Sequence, residues 1–248
     1  MKRENADYAT ERASARRRKR TREMRTFALL VCLVVMTAVL YLAVSIFSWI
    51  DGRMKDGEGA VLPVTGDGVE FAFIRVGNRG YGTGKMVEDE RFDANIQGAS
   101  AAGIKVGVYY YSQAITREEV LEEANFVLEK IKPYEISCPV VFDVERVSGE
   151  PGRMNDISVE ERTEFTRLFC ETIQNAGYRP MIYHNTEMGA MMINLEPLEE
   201  YDKWFAAYSD QFYYPYEYKI WQYSQSGRVQ GIKGAVDLNI SFGPIWEE

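Results

Sequence analysis

The 248-residue sequence has one histidine and three cysteines. His184 stands alone, and no His-rich or Cys/His-rich ligand set can be assembled around it, which argues against a zinc centre. Nor is there a G-x-S-x-G turn, the strand-to-helix elbow that carries the nucleophile in one large class of serine hydrolases. Three cysteines make no disulfide framework. Cys32 falls in an apolar run, and Cys138 and Cys170 lie one strand-to-helix unit apart. We read the latter two as buried thiols, since a domain of this size needs no staple, although a single bridge stays open outside the cytoplasm. Basic charge is scarce after the N-terminus. Residues 1–26 hold ten of the 29 Lys and Arg against four of the 37 acids, leaving 19 against 33 in the remainder, a formal charge of −14. So acidic a domain is a poor partner for DNA or RNA, and no nucleic acid is expected to bind.

What is present begins with FALLVCLVVMTAVLYLAVSIFSWI, Phe27–Ile50, which is 24 residues without a formal charge. As a helix it would reach about 36 Å, enough to cross a hydrocarbon core of roughly 30 Å. A secretory signal has a shorter apolar region and a small-residue cleavage site, so the segment reads as a retained signal anchor. The basic run ARRRKR abutting it is topological and keeps the N-terminus cytoplasmic. The expected organisation is a basic cytoplasmic tail (1–26), a transmembrane signal anchor (27–50) and an extracytoplasmic domain (51–248). With 46% hydrophobic and 27% charged residues overall, the chain can supply that domain with a sizeable core.

After a loop-like stretch to about residue 68, strand and helix patterns alternate. Apolar, β-rich runs occupy 69–76, 104–111, 139–145, 179–185, 203–208, 218–224 and 235–240, and helical segments fall at about 90–102, 117–131 and 158–176. Thr116 and Ser158 are N-cap candidates, each followed three residues later by a glutamate, and Gly103 and Gly177 close helices. Hydrophobicity in the strands is continuous rather than alternating, which argues for a parallel sheet covered by helices. Seven such strands suggest a (β/α) barrel, irregular because the later strands are joined with little helix. In barrels of this kind functional residues gather at the C-terminal ends of strands.

Those ends carry Arg75, Tyr109, Tyr111, Asp143, Glu145, Tyr183, His184, Tyr208, Gln222, Tyr223, Asp237 and Asn239. Asp143 and Glu145, in VVFDVERV, are two residues apart and so share one face of an extended chain. Aromatic faces around carboxylates suit a sugar, and paired carboxylates suit its hydrolysis: one donates a proton to the leaving oxygen while the other stays ionised. Crowding two acids drives their proton affinities apart and assigns those roles. A lone D-x-E is equally compatible with a structural pair bonded to a neighbouring Arg or Lys, and a tyrosine run is commonly packing.

The stretches DGVEFAFIRVGNRGYG, DERFDANIQGASAAGIKVGVYYYSQA, PVVFDVE, AGYRPMIYHN, WFAAYS and IWQYSQSGRVQGIKGAVDLN, taken in order from about Asp67 to Phe242, resemble glycoside hydrolase family 25, the Chalaropsis-type lysozymes or N,O-diacetylmuramidases. The resemblance implies a barrel of five βα units followed by β-strands. The implied activity is cleavage of the β-1,4 bond between N-acetylmuramic acid and N-acetylglucosamine in peptidoglycan glycan strands. Glu145 matches the general acid, Asp143 its partner carboxylate and Asp237 the acid of the last strand. Tyr109, Tyr111, Tyr183, Trp204, Tyr208, Trp221, Gln222 and Tyr223 fall on positions that line or support the sugar groove, with Arg75 as a further substrate-binding candidate. The family's reaction needs no metal, and no cofactor is expected. One stretch departs from the pattern. Members open on a strand like G-I-D-V-S-x-x-Q-G, where this chain has WIDGRMKDGEGAVLPV, so either a shortened first strand carries Asp51 at its tip in place of the first-strand acid or that strand is lost. The chain is therefore expected to be a membrane-anchored muramidase. The altered opening leaves two other readings, a wall-binding protein that keeps the groove without turnover and a structural scaffold.

Overall fold

The computed structural model describes residues 68–209 and 214–246. The basic tail, the apolar segment 27–50 and the opening with Asp51 lie outside the described residues. Among the described residues, no helix is long and apolar enough to cross a membrane.

The elements run β1 (Phe71–Arg79), β2 (Met86–Glu88), α1 (Phe92–Ala101), β3 (Lys105–Tyr111), α2 (Arg117–Ile131), β4 (Val140–Asp143), α3 (Val159–Asn175), β5 (Pro180–Asn185), β6 (Asp202–Ala206), β7 (Ile220–Gly227) and β8 (Val236–Ser241). They form one sheet in the order β2-β1-β3-β4-β5-β6-β7-β8. Every pairing from β1 through β3 to β7 is parallel, while β2 and β8 run antiparallel at the two ends. All seven strands expected from the sequence are present. The short β2 was not expected: its three residues are all exposed, so no apolar pattern marks it. Only short 3₁₀ and π turns connect β5 to β6, in keeping with the irregular later half.

Helix boundaries follow local chemistry. Ser158 and Glu161 form a complete capping box at the start of α3. At α2, Thr116 accepts from the Glu119 amide, but the Glu119 carboxylate turns back to the Ile115 amide, one residue earlier than a capping box requires. Gly103 and Gly177 take positive φ just past α1 and α3, where a side chain would be strained.

The strands are apolar on both faces because each face has a partner. Val140 and Phe142 of β4 point to the helices, where Phe142 stacks on Phe169 of α3 with ring centroids 4.5 Å apart. Val141 points the other way, into a second cluster with Met181, Tyr183, Trp204 and Ile220. That cluster reveals the curvature. Phe73 on β1 and Trp204 on β6 are four strand spacings apart along the sheet, about 19 Å if it were flat. Their ring centroids are 4.7 Å apart. The sheet therefore curls until its inner faces meet, as barrel geometry demands. Gly107 permits the closure: a Cβ there would come within 2.4 Å of the Phe73 ring and 2.8 Å of the Pro139 carbonyl oxygen. Among the described residues, β2 and β8 remain the two ends of the sheet, so the expected barrel is present as a mixed α/β half-barrel.

Candidate active site

Strand alternation and register build the site. Tyr111, Asp143, Tyr183 and Trp204 are lateral neighbours on β3, β4, β5 and β6, and the inward-facing Tyr109 lies one layer below beside Val141. This places Asp143 on the concave side between two tyrosines. Here the structure corrects the sequence reading: β4 ends at Asp143, so Glu145 is not a strand residue but stands on the loop that follows. Asp143 is 7% exposed and its Oδ1 has no hydrogen-bond partner, whereas Glu145 is only partly buried. Asp237 enters from β8, which runs antiparallel and brings its N-terminal end to the same rim.

The charges of Glu145 and Asp237 act on Asp143, and that of Asp237 acts on Glu145. Burial raises the proton affinity of Asp143 well above that of an ordinary aspartate, Glu145 and Asp237 add to the rise, and the Arg75 charge opposes it. For Glu145, burial again raises it, a hydrogen bond from the Asn185 side chain opposes, and Asp237 adds. Burial alone raises Asp237. Asp143 and Glu145 are thus both held toward the protonated form, by burial first and by neighbouring carboxyl charge second.

Around the acids, Tyr183 and Tyr208 both donate their hydroxyls to Gln222 Oε1, at 2.8 and 2.6 Å. Burial raises the phenols of Tyr109, Tyr111, Tyr183 and Tyr208, and Asp143 contributes at all four, so these rings form the wall nearest the acids. Trp204 is buried and its indole donates to Asn239 at 2.8 Å. Arg75 donates to Asp89 at 2.7 Å; burial works against its charge, and Tyr109, Asp89 and Asp143 outweigh that effect. Trp221 and Tyr223 pair with each other, ring centroids 5.8 Å apart, on the face of β7 turned away from Gln222, where the Trp221 indole donates to the Ala207 carbonyl at 2.9 Å.

His184 also faces away from the groove. It is fully buried, bonded through Nε2 to the Tyr214 hydroxyl (2.9 Å) and through Nδ1 to the Asn185 carbonyl (3.0 Å), and burial holds it down at about 4, so it is neutral. Cys138 and Cys170 are free and buried. Among the described residues no group of three His, Cys, Asp or Glu side chains is placed to hold a metal ion.

Three residues not singled out from sequence belong to the site. Asn185 ends β5; its Oδ1 accepts from the Met188 amide at 3.0 Å, which leaves its NH₂ for Glu145. It lies two residues after Tyr183, so strand alternation could have placed it inward. Asp89 fixes Arg75, and Gln113 lies beneath Tyr111 and Glu145.

A stability consequence follows for Asp143. Because its proton affinity is higher folded than unfolded, the native state binds more protons between about pH 4 and its raised value, and stability falls as pH rises through that window. Asp143→Asn removes the buried charge. It should raise the melting temperature at neutral pH by about 2–4 °C, the shift that on the order of 1 kcal/mol gives in a domain of this size. The gain should vanish below about pH 4. A variant that melts no higher than wild type at neutral pH contradicts the assigned burial of charge.

Comparison with known proteins agrees with this geometry. The model of the family described as "Glycosyl hydrolases family 25" matches residues 50–232, more than half of the chain. The chain is 27% identical over 186 residues to an autolytic lysozyme of Clostridium acetobutylicum, an alignment covering 74% of this chain and 52% of that protein. It is also 27% identical over 188 residues to the uncharacterized protein YegX of Escherichia coli, covering 72% and 61%. The chain thus spans about half to three fifths of the length of these relatives. Among solved structures, the modular autolysin LytC from Streptococcus pneumoniae superposes with a TM-score of 0.60 at 25% identity, covering 71% of this chain and 41% of that one. The fold is likewise that of a muramidase from Acremonium alcalophilum, with a TM-score of 0.62 at 19% identity and coverage of 76% and 91%. Family match and fold agree, and the chain belongs to glycosyl hydrolases family 25.

Proposed function

We propose that the domain is a peptidoglycan hydrolase that cleaves the β-1,4 bond between N-acetylmuramic acid and N-acetylglucosamine. The observation that carries the reading is the group of three carboxyls of raised proton affinity at the rim of an aromatic half-barrel. A glycosidase needs one carboxyl still protonated near neutral pH and another ionised beside it. The strongest rise falls on Asp143, the deepest of the set, but a proton donor must touch the leaving oxygen, and greater exposure favours Glu145 on its loop over Asp143. In this mechanism the proton leaves from Glu145 to the glycosidic oxygen as the bond breaks. Asp237 is perturbed by burial alone, which makes it the member most readily ionised, and its negative charge faces the positive charge growing on the sugar. Asp143 assists from below, with Arg75 favouring its ionised form once the proton has gone. The more accessible rings of Tyr111 and Tyr208 supply stacking surface over the buried Tyr183 and Trp204, and Gln222 orients two of the phenols. The family match begins at residue 50, which supports counting Asp51 as the first-strand acid.

Glu145→Gln keeps shape and most hydrogen bonding but has no proton to give. Release of reducing ends from purified peptidoglycan should fall by about 10²–10⁴ or more, the usual contribution of general acid catalysis, with unchanged melting and glycan binding. The altered opening around Asp51 favours a second reading, a wall-binding protein without turnover. Wild-type protein that binds the glycan yet releases no reducing ends would establish that reading in place of the enzyme.

We further propose that residues 27–50 anchor the domain outside the cytoplasmic membrane, with residues 1–26 inside, on the strength of the uncharged 24-residue run and the ten basic residues before it. Protease added to intact protoplasts should remove the domain and spare an N-terminal tag. Protection of the domain would reverse the orientation.

A further inference from the structure

The proposed acid, Glu145, is held by no strand. It stands near the start of a stretch that leaves β4 and reaches the α3 cap at Ser158, with a single 3₁₀ turn, Arg153–Asp156, near its far end. Its position over Asp143 must therefore be set by contacts made to the loop from elsewhere.

The far end of the loop is firmly fixed. The Asn155 side chain clips Val147 twice, accepting from its amide and donating to its carbonyl, both at 2.9 Å. Gly152 lies so close under Val147 that a Cβ would meet its side chain at 2.5 Å. The buried Arg162 of α3 donates to the Met154 carbonyl at 2.6 Å and the Ile157 carbonyl at 3.2 Å. Arg153 donates to Glu119 Oε1 at 2.7 Å, and Glu119 faces Arg79, itself bonded to the fully buried Glu123 at 2.7 Å. The loop's far end is thus fastened to α2, α3 and the C-terminal end of β1.

Gln113 joins that fixed end to the catalytic one. It is 0% exposed and follows β3 by two residues. Its Oε1 accepts from the Met154 amide at 3.3 Å, and Arg153 Nη1 donates to its carbonyl at 3.1 Å. Its Nε2 donates to the Glu145 carbonyl at 3.4 Å and to the Tyr111 hydroxyl at 3.3 Å. One buried amide therefore touches the acid's own main chain, a groove tyrosine and the pinned end of the same loop.

We propose that Gln113 is a positioning residue for the hydrolytic reaction, setting the height of Glu145 over Asp143 and the groove by spanning from the Arg153–Met154 anchor to the Glu145 carbonyl. The inference rests on the reading of Glu145 as the proton donor. It has a signature that packing alone lacks. Glu145 faces Asp143 on β4, Asp237 on β8, Tyr111 on β3, Tyr183 on β5 and Tyr208 beyond β6, with Asn185 as its hydrogen-bond donor. Burial is the largest cause of its raised proton affinity. Released from Gln113, the carboxyl moves toward water and its affinity falls toward the ordinary value.

The test uses the full chain in detergent and soluble glycan chains prepared from peptidoglycan, with kcat, KM, the pH profile of kcat/KM and melting curves. Gln113→Met keeps the side-chain length and removes all three side-chain hydrogen bonds. It should lower kcat about tenfold to a hundredfold, the range expected for a misplacement of about 1 Å, with KM changed less than about threefold. The descending limb of the pH profile should move to lower pH. Arg153→Lys keeps a positive charge beside Glu119 but loses the forked reach to the Gln113 carbonyl; it should move the limb the same way by less, and it decides the matter if Gln113→Met does not fold. A fall in rate that only follows the folded fraction, with the limb unmoved, overturns the inference. Wild-type activity with that outcome leaves the muramidase reading standing, whereas a wild type without hydrolysis removes both.

Discussion

Three carboxyls confined at the rim of a curled sheet are the constraint on which the rest of this domain is organised. Like charges in a buried place are unfavourable, and the fold has not relieved the cluster with a full set of partners. Asp143 Oδ1 is left without a hydrogen bond, Arg75 is shared between Asp89 and Asp143, and Glu145 has one amide donor. A surface pair could relax into water; Asp143 cannot, because Tyr111 and Tyr183 flank it on neighbouring strands and Phe73 and Trp204 pack inside the curled sheet, whereas Glu145 is half-buried and Asp237 is exposed on β8. The unfavourable electrostatics are therefore retained at Asp143, and in the proposed reaction they keep a proton available.

Holding such a set requires a rigid wall, and the outer layer provides one. Arg79 and Glu123, between β1 and α2, are almost fully buried and bonded at 2.7 Å, with the Ser112 hydroxyl on the second carboxylate oxygen at 2.6 Å. Burial pushes Glu123 up to about 7, whereas hydrogen bonds to Glu123 and Glu122 outweigh burial at Arg79 and hold its charge more firmly. The two tendencies disagree about the pair. We take it as ionised, since both carboxylate oxygens have close donors and a neutral Glu123 would leave a buried guanidinium short of its partner. Ser112 also donates its amide to the Asp143 carbonyl at 3.1 Å, so this ion pair reaches the floor of the site through one residue.

Much of this was legible in the sequence. Both faces of the parallel strands are covered, and continuous apolar runs such as VVFD and PMIYHN revealed them; the capping residues and glycines marked where α2 and α3 begin and where α1 and α3 end. What escaped carries no periodic signal. β2 is three exposed residues held by backbone pairing to β1. Alternation through Glu145 runs one pleat past the strand, which ends at Asp143 although β5 beside it continues to Asn185. Asn185 and Gln113 are uncharged amides whose importance lies in what the fold brings within reach of them, the Glu145 carboxylate and carbonyl respectively. Trp221 and Tyr223 matched groove positions by their place in the chain, yet they pair on the face of β7 opposite Gln222.

The central claim is that burial and the neighbouring carboxyl charges, that of Asp237 among them, hold Asp143 and Glu145 toward the protonated form. Carbon-13 NMR of Asp and Glu side-chain carboxyls, followed across pH in wild type and in single Asn or Gln variants of the three, measures this directly. The account predicts one carboxyl of the set still protonated well above the ordinary range of about 3.5–4.5. It also predicts that neutralising Asp237 lowers the values at Asp143 and Glu145, and that neutralising Glu145 lowers the value at Asp143. Three carboxyls that titrate independently within the ordinary range would contradict it.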